Sequence, residues 1–215
     1  MNNQIRCISH EIRNQISICE LYSQIIKKNL EKEKIKNDSI DNAIFCITKS
    51  LKIISNNLID LKAIDNYSPE KYDLRSLLKN GADLSMVYIQ DKDIEISLSV
   101  KKSVDVYVDE NKFLACVVNI IKNAVESIDE KGLIEIFADV QSDIISIKFK
   151  NDGKPIPEEA QKHLFDEGYT TKNTGSGLGL PICAGNLALM GGKLNLLESN
   201  NKDTIFEIIL PVYKA

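Results

Sequence analysis

Apolar residues recur at helical spacing along the first third of the chain. Between residues 4 and 30 they fall at Ile5, Ile8, Ile12, Cys19, Tyr22 and Ile26, in steps mostly of three, four or seven. Between 39 and 64 they fall at Ile40, Ile44, Ile47, Leu51, Ile54, Leu58 and Leu61, alternating four and three. Seams of this kind belong to antiparallel helices packed as in a coiled coil. The run Glu31-Lys32-Glu33-Lys34 and the polar Asn37-Asp38-Ser39 predict the turn between them, with Asp38 or Ser39 capping the second helix. Two such helices bury little alone. A homodimer that builds a four-helix bundle is the natural way to cover both seams.

At Asp65-Asn66-Tyr67-Ser68-Pro69 the helical pattern breaks, and a short linker is expected. Beyond it the period changes repeatedly. Residues 74–86 read as a helix, and 94–98 and 104–108 alternate as strands. Asp109 is placed to cap a long helix that runs to about 128. Strands follow at 133–140 and 144–149, then a helix at 178–190 and closing strands at 193–198 and 204–210. Strands in hairpin-like pairs separated by three helices predict an α+β two-layer sandwich, its mixed sheet covered on one face. The expected domains are thus an α-helical hairpin over 1–66 and the sandwich over 67–215.

A length of 215 residues permits this division and a sizeable core. The net charge of −4 gives no footprint for nucleic acid. Five cysteines, Cys7, Cys19, Cys46, Cys116 and Cys183, stand far apart without a CxxC pair, which suits reduced core thiols in a cytosolic protein. No run approaches the roughly 18 apolar residues of a membrane span. The polar N-terminus lacks a signal-peptide pattern, and a cytoplasmic location is expected.

Candidate chemistry gathers in four stretches. In Ser9-His10-Glu11-Ile12-Arg13-Asn14, His10 and Asn14 stack one helical turn apart and Glu11 lies beside the imidazole. With Ile8 and Ile12 facing the seam, His10 projects outward. A histidine next to a carboxylate suits a nucleophile, because the acid takes the proton from one ring nitrogen while the other attacks phosphorus. On the long helix, Asn119, Asn123 and Glu126 share one face with Lys122 between them. Such a polar stripe on a half-buried helix needs partners, which a magnesium ion and phosphate oxygens, or solvent, would supply. Asn151-Asp152-Gly153-Lys154-Pro155 ends a strand with two side-chain acceptors and a permissive glycine, able to hold the amino group of a base or simply to turn the chain. Last, a loop over 158–174 is long enough for a lid. It carries Tyr169-Thr170-Thr171-Lys172 into Gly175-Ser176-Gly177-Leu178-Gly179-Leu180. Three glycines at alternate positions before a helix N-terminus let the backbone approach a polyphosphate closely.

Taken in this order, the stretches resemble the catalytic core of a bacterial sensor histidine kinase over nearly the whole chain. That family joins a dimerisation and histidine-phosphotransfer hairpin to an ATP-binding domain of the gyrase, Hsp90, histidine kinase and MutL type. His10 through Asn14 is similar to its H-box, Asn119 through Asn123 to its N-box, and Asn151-Asp152-Gly153 to its G1 box. Phe165-Asp166-Glu167-Gly168-Tyr169-Thr170-Thr171-Lys172 resembles its F-box and lid, and Gly175 through Leu180 its G2 box. The resemblance implies ATP and Mg²⁺ as cofactors, His10 as phosphoryl acceptor and Glu11 as its base. Asn14 would orient water for dephosphorylating the partner. Asn123 would coordinate the metal, with Asn119 near the γ-phosphate and Lys122 beside them. Lys172, Leu178 and the backbone of Gly175, Gly177 and Gly179 would hold the phosphates, while Asn151 or Asp152, beside Gly153, would accept from adenine. The implied partner is a response-regulator receiver domain, whose aspartate takes the phosphoryl group.

Departures are few. Gln15 replaces the family's usual proline, which weakens the bend expected below His10. Asn151 stands where an aspartate usually leads the G1 box, and Pro155 replaces its second glycine. With only nine residues before His10 and no sensor or anchor, two readings stand. The chain is part of a longer kinase, or it takes its signal from a partner. A non-catalytic phosphotransfer protein or adaptor is the alternative function. An ATPase of the gyrase or MutL kind is disfavoured, because those place a glutamate where this chain has Asn119.

Overall fold

The computed structural model describes residues 67–213 except 90, 91, 103 and 173–176, and before them residues 19, 22, 23, 25, 26, 29, 30, 37, 39, 40, 43, 44, 47 and 51. The chain divides into two compact units, Met1–Asn66 and Tyr67–Ala215.

In the first unit the described residues from 19 to 30 and from 39 to 51 are helical, with Asn37 between them. The Asn37 Oδ1 accepts the backbone N–H groups of Ser39 and Ile40 at 3.1 and 3.2 Å. That is an N-cap, and it corrects the expectation that Asp38 or Ser39 holds this position. The side chain that reaches the second and third N–H groups belongs two residues before Ser39. Of the expected seam, Tyr22, Ile26, Ile40 and Ile47 are exposed on the single chain.

The second unit is an α+β sandwich. It opens with β1 (Glu70–Asp73) and α1 (Leu74–Ser85), which continues as a 3₁₀ turn at Met86–Tyr88. Next come β2 (Asp93–Val100), β3 (Asp105–Val108) and α2 (Glu110–Ser127). The chain then runs through β4 (Lys131–Gln141), β5 (Ile144–Asn151), a short α3 (Glu158–Gln161), α4 (Gly179–Leu189), β6 (Lys193–Ser199) and β7 (Thr204–Pro211). Five strands form one mixed sheet in the order β2-β4-β5-β7-β6. Only the β2–β4 pair in it is parallel.

The expectation of hairpin-like pairs holds for β4–β5 and β6–β7 but not for β2 and β3. Strand β2 pairs with β4, and β3 pairs antiparallel with β1 in a separate two-stranded ribbon. Alternation marked both as strands, but it carries no information about partners.

One face of the sheet is apolar. Ile134, Ile136 and Ala138 of β4, Ile145, Ile147 and Phe149 of β5, and Phe206, Ile208 and Leu210 of β7 are all buried. They join one core with Leu74 and Leu78 of α1, Phe113, Val117 and Ile120 of α2, and Cys183 and Leu187 of α4. The opposite face carries Glu135, Lys148, Lys150 and Glu207, as a half-solvated sheet should. Asp109 caps α2 by accepting the Lys112 N–H at 3.1 Å, and its other oxygen accepts the Ser68 N–H at 2.9 Å. The cap therefore also ties the entry of the unit to the helix that carries the site.

Candidate active site

Helix α2 is the base of the site. Phe113, Cys116, Val117, Ile120, Ile121 and Ala124 are buried at three- and four-residue steps, which fixes the rotation of the helix about its axis. Asn119, Lys122 and Asn123 are left half-buried along its flank, and Glu126 is exposed at its end.

Asn119 faces the start of α4. Its Nδ2 donates to the Cys183 Sγ at 3.3 Å. A Cβ on Gly179 would stand 2.6 Å from both Nδ2 and Oδ1 of Asn119, so a side chain there would push this amide from its place against the start of α4. Helix α4 starts at Gly179 with Leu178 as its capping residue, one position later than its apolar pattern suggests. Pro181 has no N–H, so the first-turn donors that lack helical partners are those of Gly179 and Leu180. Beneath this contact the Cys116 thiol is pushed well above the ordinary thiol range, first by its hydrogen bond with Cys183 and then by burial.

Lys122 lies over the Tyr88 ring, with its Nζ 5.5 Å from the centroid, and 3.9 Å from a Glu126 oxygen. The amide of Asn123 meets the lid. Its Oδ1 accepts from the Lys172 Nζ at 3.1 Å, and the same ammonium forms an ion pair with Glu126. Asn123 and Lys172, 49 positions apart, are thus brought together.

The loop that carries Lys172 is pinned at its base. Gly168 and Gly177 both have positive φ, +80° and +67°, and the Gly168 N–H donates to the Gly177 carbonyl at 3.1 Å. Its approach from β5 is also fixed. The Ile156 N–H donates to the Ser199 Oγ at 2.8 Å, and the Gln161 side chain donates back to the Ile156 carbonyl at 2.8 Å.

At the end of β5 the two candidate acceptors separate. Asn151 is buried, with its Nδ2 donating to the Ser127 Oγ at 3.0 Å, which leaves the amide oxygen as its acceptor. Asp152 is exposed, and its Oδ1 accepts the Leu133 N–H at 2.9 Å. Gly153 lies against the end of α2, where a Cβ would come within 2.8 Å of the Ser127 backbone.

His10, Glu11, Asn14 and Gly175 lie outside the described residues. Two side chains join the site beyond those singled out for it. The sequence pattern gives Glu126 only a place on the amide face, and Ser127 belongs to none of the motifs. Ser127 follows Asn123 by one helical turn, which was the available signal. As for cofactors, Asn123 Oδ1 already carries a cation, and oxygen donors suit a hard metal ion. The buried Asn151 amide, the pinned glycines and the start of α4 fit a nucleotide. Among the described residues no helix is long and apolar enough to cross a membrane.

Residues 108–214 match the model of the histidine kinase-, DNA gyrase B- and HSP90-like ATPase family. Sporulation kinase C of Bacillus subtilis (strain 168) is 28% identical over 207 residues, which cover 95% of this chain and 47% of that protein. The chain thus spans about half the length of that curated relative. Sporulation kinase A of the same organism is 27% identical, with 33% of its length covered. Among solved structures, the catalytic domain of histidine kinase ThkA superposes with a TM-score of 0.62 at 26% identity, over 67% of this chain and 96% of that one. Full-length ShkA, solved in complex with AMPPNP, shares the fold with a TM-score of 0.76 at 20% identity, over 99% of this chain and 46% of that one.

Proposed function

We propose, for a chain that carries an ATPase domain of the histidine kinase-, DNA gyrase B- and HSP90-like family, that it is the catalytic core of a protein histidine kinase. In this reading the second unit binds ATP and Mg²⁺ and the first presents His10. The observation that carries it is the meeting of Lys172 with Asn123 at 3.1 Å, which brings the lid onto the amide stripe of α2.

ATP supplies the phosphoryl group when bound, and its metal ion offsets phosphate charge. Asn123 holds the metal through Oδ1. Lys172, Lys122, the N–H groups at the start of α4 and the backbone of Gly177 face the phosphates with positive charge and donors, and Gly175 takes the same role from its place in the motif. Asn119 positions the end of the phosphate chain, because Gly179 allows α4 to pack against its amide. Asn151 accepts from adenine. Its Nδ2 is committed to Ser127, so the oxygen is oriented, whereas Asp152 is exposed and already bonded to backbone.

His10 attacks the γ-phosphorus through one ring nitrogen while Glu11 takes the proton from the other. The bond from that phosphorus to the β–γ bridging oxygen breaks and ADP leaves. The phosphoryl group then passes to a carboxylate oxygen of a regulator aspartate as its bond to the imidazole breaks. Asn14 orients the water that reverses that modification. Homodimerisation covers Tyr22, Ile26, Ile40 and Ile47, which a single chain leaves exposed.

The test is incubation with γ-labelled ATP and Mg²⁺, beside His10→Ala and Asn123→Ala variants. Acid-labile, base-stable label on the wild type alone is expected. Label retained by His10→Ala would reject the assigned nucleophile. An unlabelled wild type that still binds nucleotide would reject the kinase reading in favour of an adaptor.

A further inference from the structure

The ammonium of Lys172 occupies the same oxygen that the kinase reading gives to the metal. It sits 3.1 Å from Asn123 Oδ1 and is ion-paired to Glu126, one helical turn further along the same face of α2. An amide oxygen and a carboxylate at this spacing present two hard donors to one cation. Glu126 has a second cation near it, since Lys122 Nζ stands 3.9 Å from its other oxygen.

We propose that Asn123 and Glu126 form a single cation seat, which a divalent metal and the Lys172 ammonium occupy in alternation. Glu126 is then a determinant of metal binding, and Lys172 is a built-in competitor. Two cations cannot share Asn123 Oδ1 without strong repulsion, so a metal arriving there moves the lysine off the helix. The displaced ammonium remains on the lid, whose base is held by the Gly168–Gly177 hydrogen bond. It therefore stays within reach of the phosphates.

The strength of the contact suits exchange. The Lys172 and Glu126 side chains are 44% and 39% exposed, and half-solvated ion pairs are weak enough for a divalent ion to displace. A latch of this kind orders the lid before metal binding without blocking it. It also couples metal entry to a rearrangement of residues 170–172.

This inference rests on the kinase reading for the role of Asn123, and the experiment separates the two. Mn²⁺ is titrated into the full chain, alone and with ADP, and free Mn²⁺ is followed by electron paramagnetic resonance. The set is the wild type, Lys172→Met, Glu126→Gln, the double variant and Asn123→Ala. Lys172→Met is expected to bind Mn²⁺ alone roughly two- to fivefold more tightly than wild type, the range of a half-exposed ion pair. Adding Glu126→Gln to it is expected to cancel that gain. In hydrogen exchange, Mn²⁺ speeds the amides of 170–172 in the wild type, while Lys172→Met is already fast and does not respond.

Mn²⁺ binding that is equal or weaker in Lys172→Met overturns the competition, as does an absence of Mn²⁺ binding in both proteins. Loss of binding in Asn123→Ala with no change in Glu126→Gln, in either background, removes Glu126 from the seat and leaves the kinase reading intact. Unchanged Mn²⁺ binding in Asn123→Ala rejects the metal assignment itself.

Discussion

Replacing Gly177 by alanine probes the base of the lid, and the structure separates two contributions to its effect. Gly177 has φ +67°, and a left-handed backbone costs a non-glycine residue about 1–2 kcal/mol. A Cβ there would also lie 2.4 Å from the Gly168 carbonyl carbon and 2.6 Å from the oxygens of Gly168 and Tyr169. These are main-chain atoms, which cannot rotate aside as a side chain can. The base must part, losing the Gly168–Gly177 hydrogen bond, for about 1 kcal/mol more. Gly168 provides the control. It has φ +80°, yet a Cβ there meets nothing within 4 Å, so it carries only the conformational part. If an ordered lid base is needed for nucleotide binding, Gly168→Ala weakens AMPPNP affinity by roughly 5- to 30-fold and Gly177→Ala by roughly 30- to 150-fold, at 1.4 kcal/mol per factor of ten. Titration calorimetry measures both, and thermal unfolding followed by circular dichroism should show little change, because no core side chain is touched. Equal losses in the two variants, or Gly177→Ala within threefold of wild type, would refute the steric reasoning.

Other consequences concern the frame of the site. Ser127→Ala leaves the buried Asn151 Nδ2 without its partner, and urea unfolding should register a loss of about 1–3 kcal/mol. Adenine preference over guanine should weaken with it in competition binding, whereas Asp152→Ala should leave that preference unchanged. Asp109→Ala removes the acceptor for both the Lys112 and the Ser68 N–H groups, and should cost about 2 kcal/mol on the same urea scale. The raised Cys116 thiol favours the neutral form in the fold. Its contribution is fully present below the unfolded thiol value of about 8.5 and is lost as pH rises toward the higher folded value. Wild type should therefore lose thermal stability on alkalinisation more steeply than Cys116→Ala, and iodoacetamide should label buried Cys116 and Cys183 only once the second unit unfolds.

Legibility in the sequence followed the reach of each physical signal. Helix α2 was readable because its cap, Asp109, and its apolar spacing are local, and the sheet strands were readable from their alternation. Strand β1 was not. Glu70-Lys71-Tyr72-Asp73 has no alternating apolar face, and it is a strand only because Glu70 through Asp73 pair with Val108 through Asp105. The parallel β2–β4 pairing was hidden for the same reason, since register between distant strands is set by tertiary packing. Family resemblance assigned Asn123 to the metal and Lys172 to the phosphates but did not foresee their direct contact; no periodicity relates positions in a lid and a helix.

The preference for Asn151 over Asp152 as the proposed adenine acceptor is different, because its signal lies in the sequence. Two adjacent acceptors looked equivalent by chemistry. The pleat of β5, however, buries Ile145, Ile147 and Phe149, and a period of two carries that face to position 151 and turns 152 outward. A strand's register does not end at its last apolar residue. Extended one step, it places an amide, rather than another aliphatic, at the edge of the core beneath Gly153. An amide on the apolar face of a strand must satisfy its polar atoms. The Nδ2 does so through Ser127, and the oxygen is left for a donor that the chain itself does not supply among the described residues. The exposed carboxylate next to it has solvent and the Leu133 N–H, and needs no ligand. Alternation and hydrogen-bond satisfaction together therefore support Asn151 over Asp152 as the acceptor in the proposed nucleotide site.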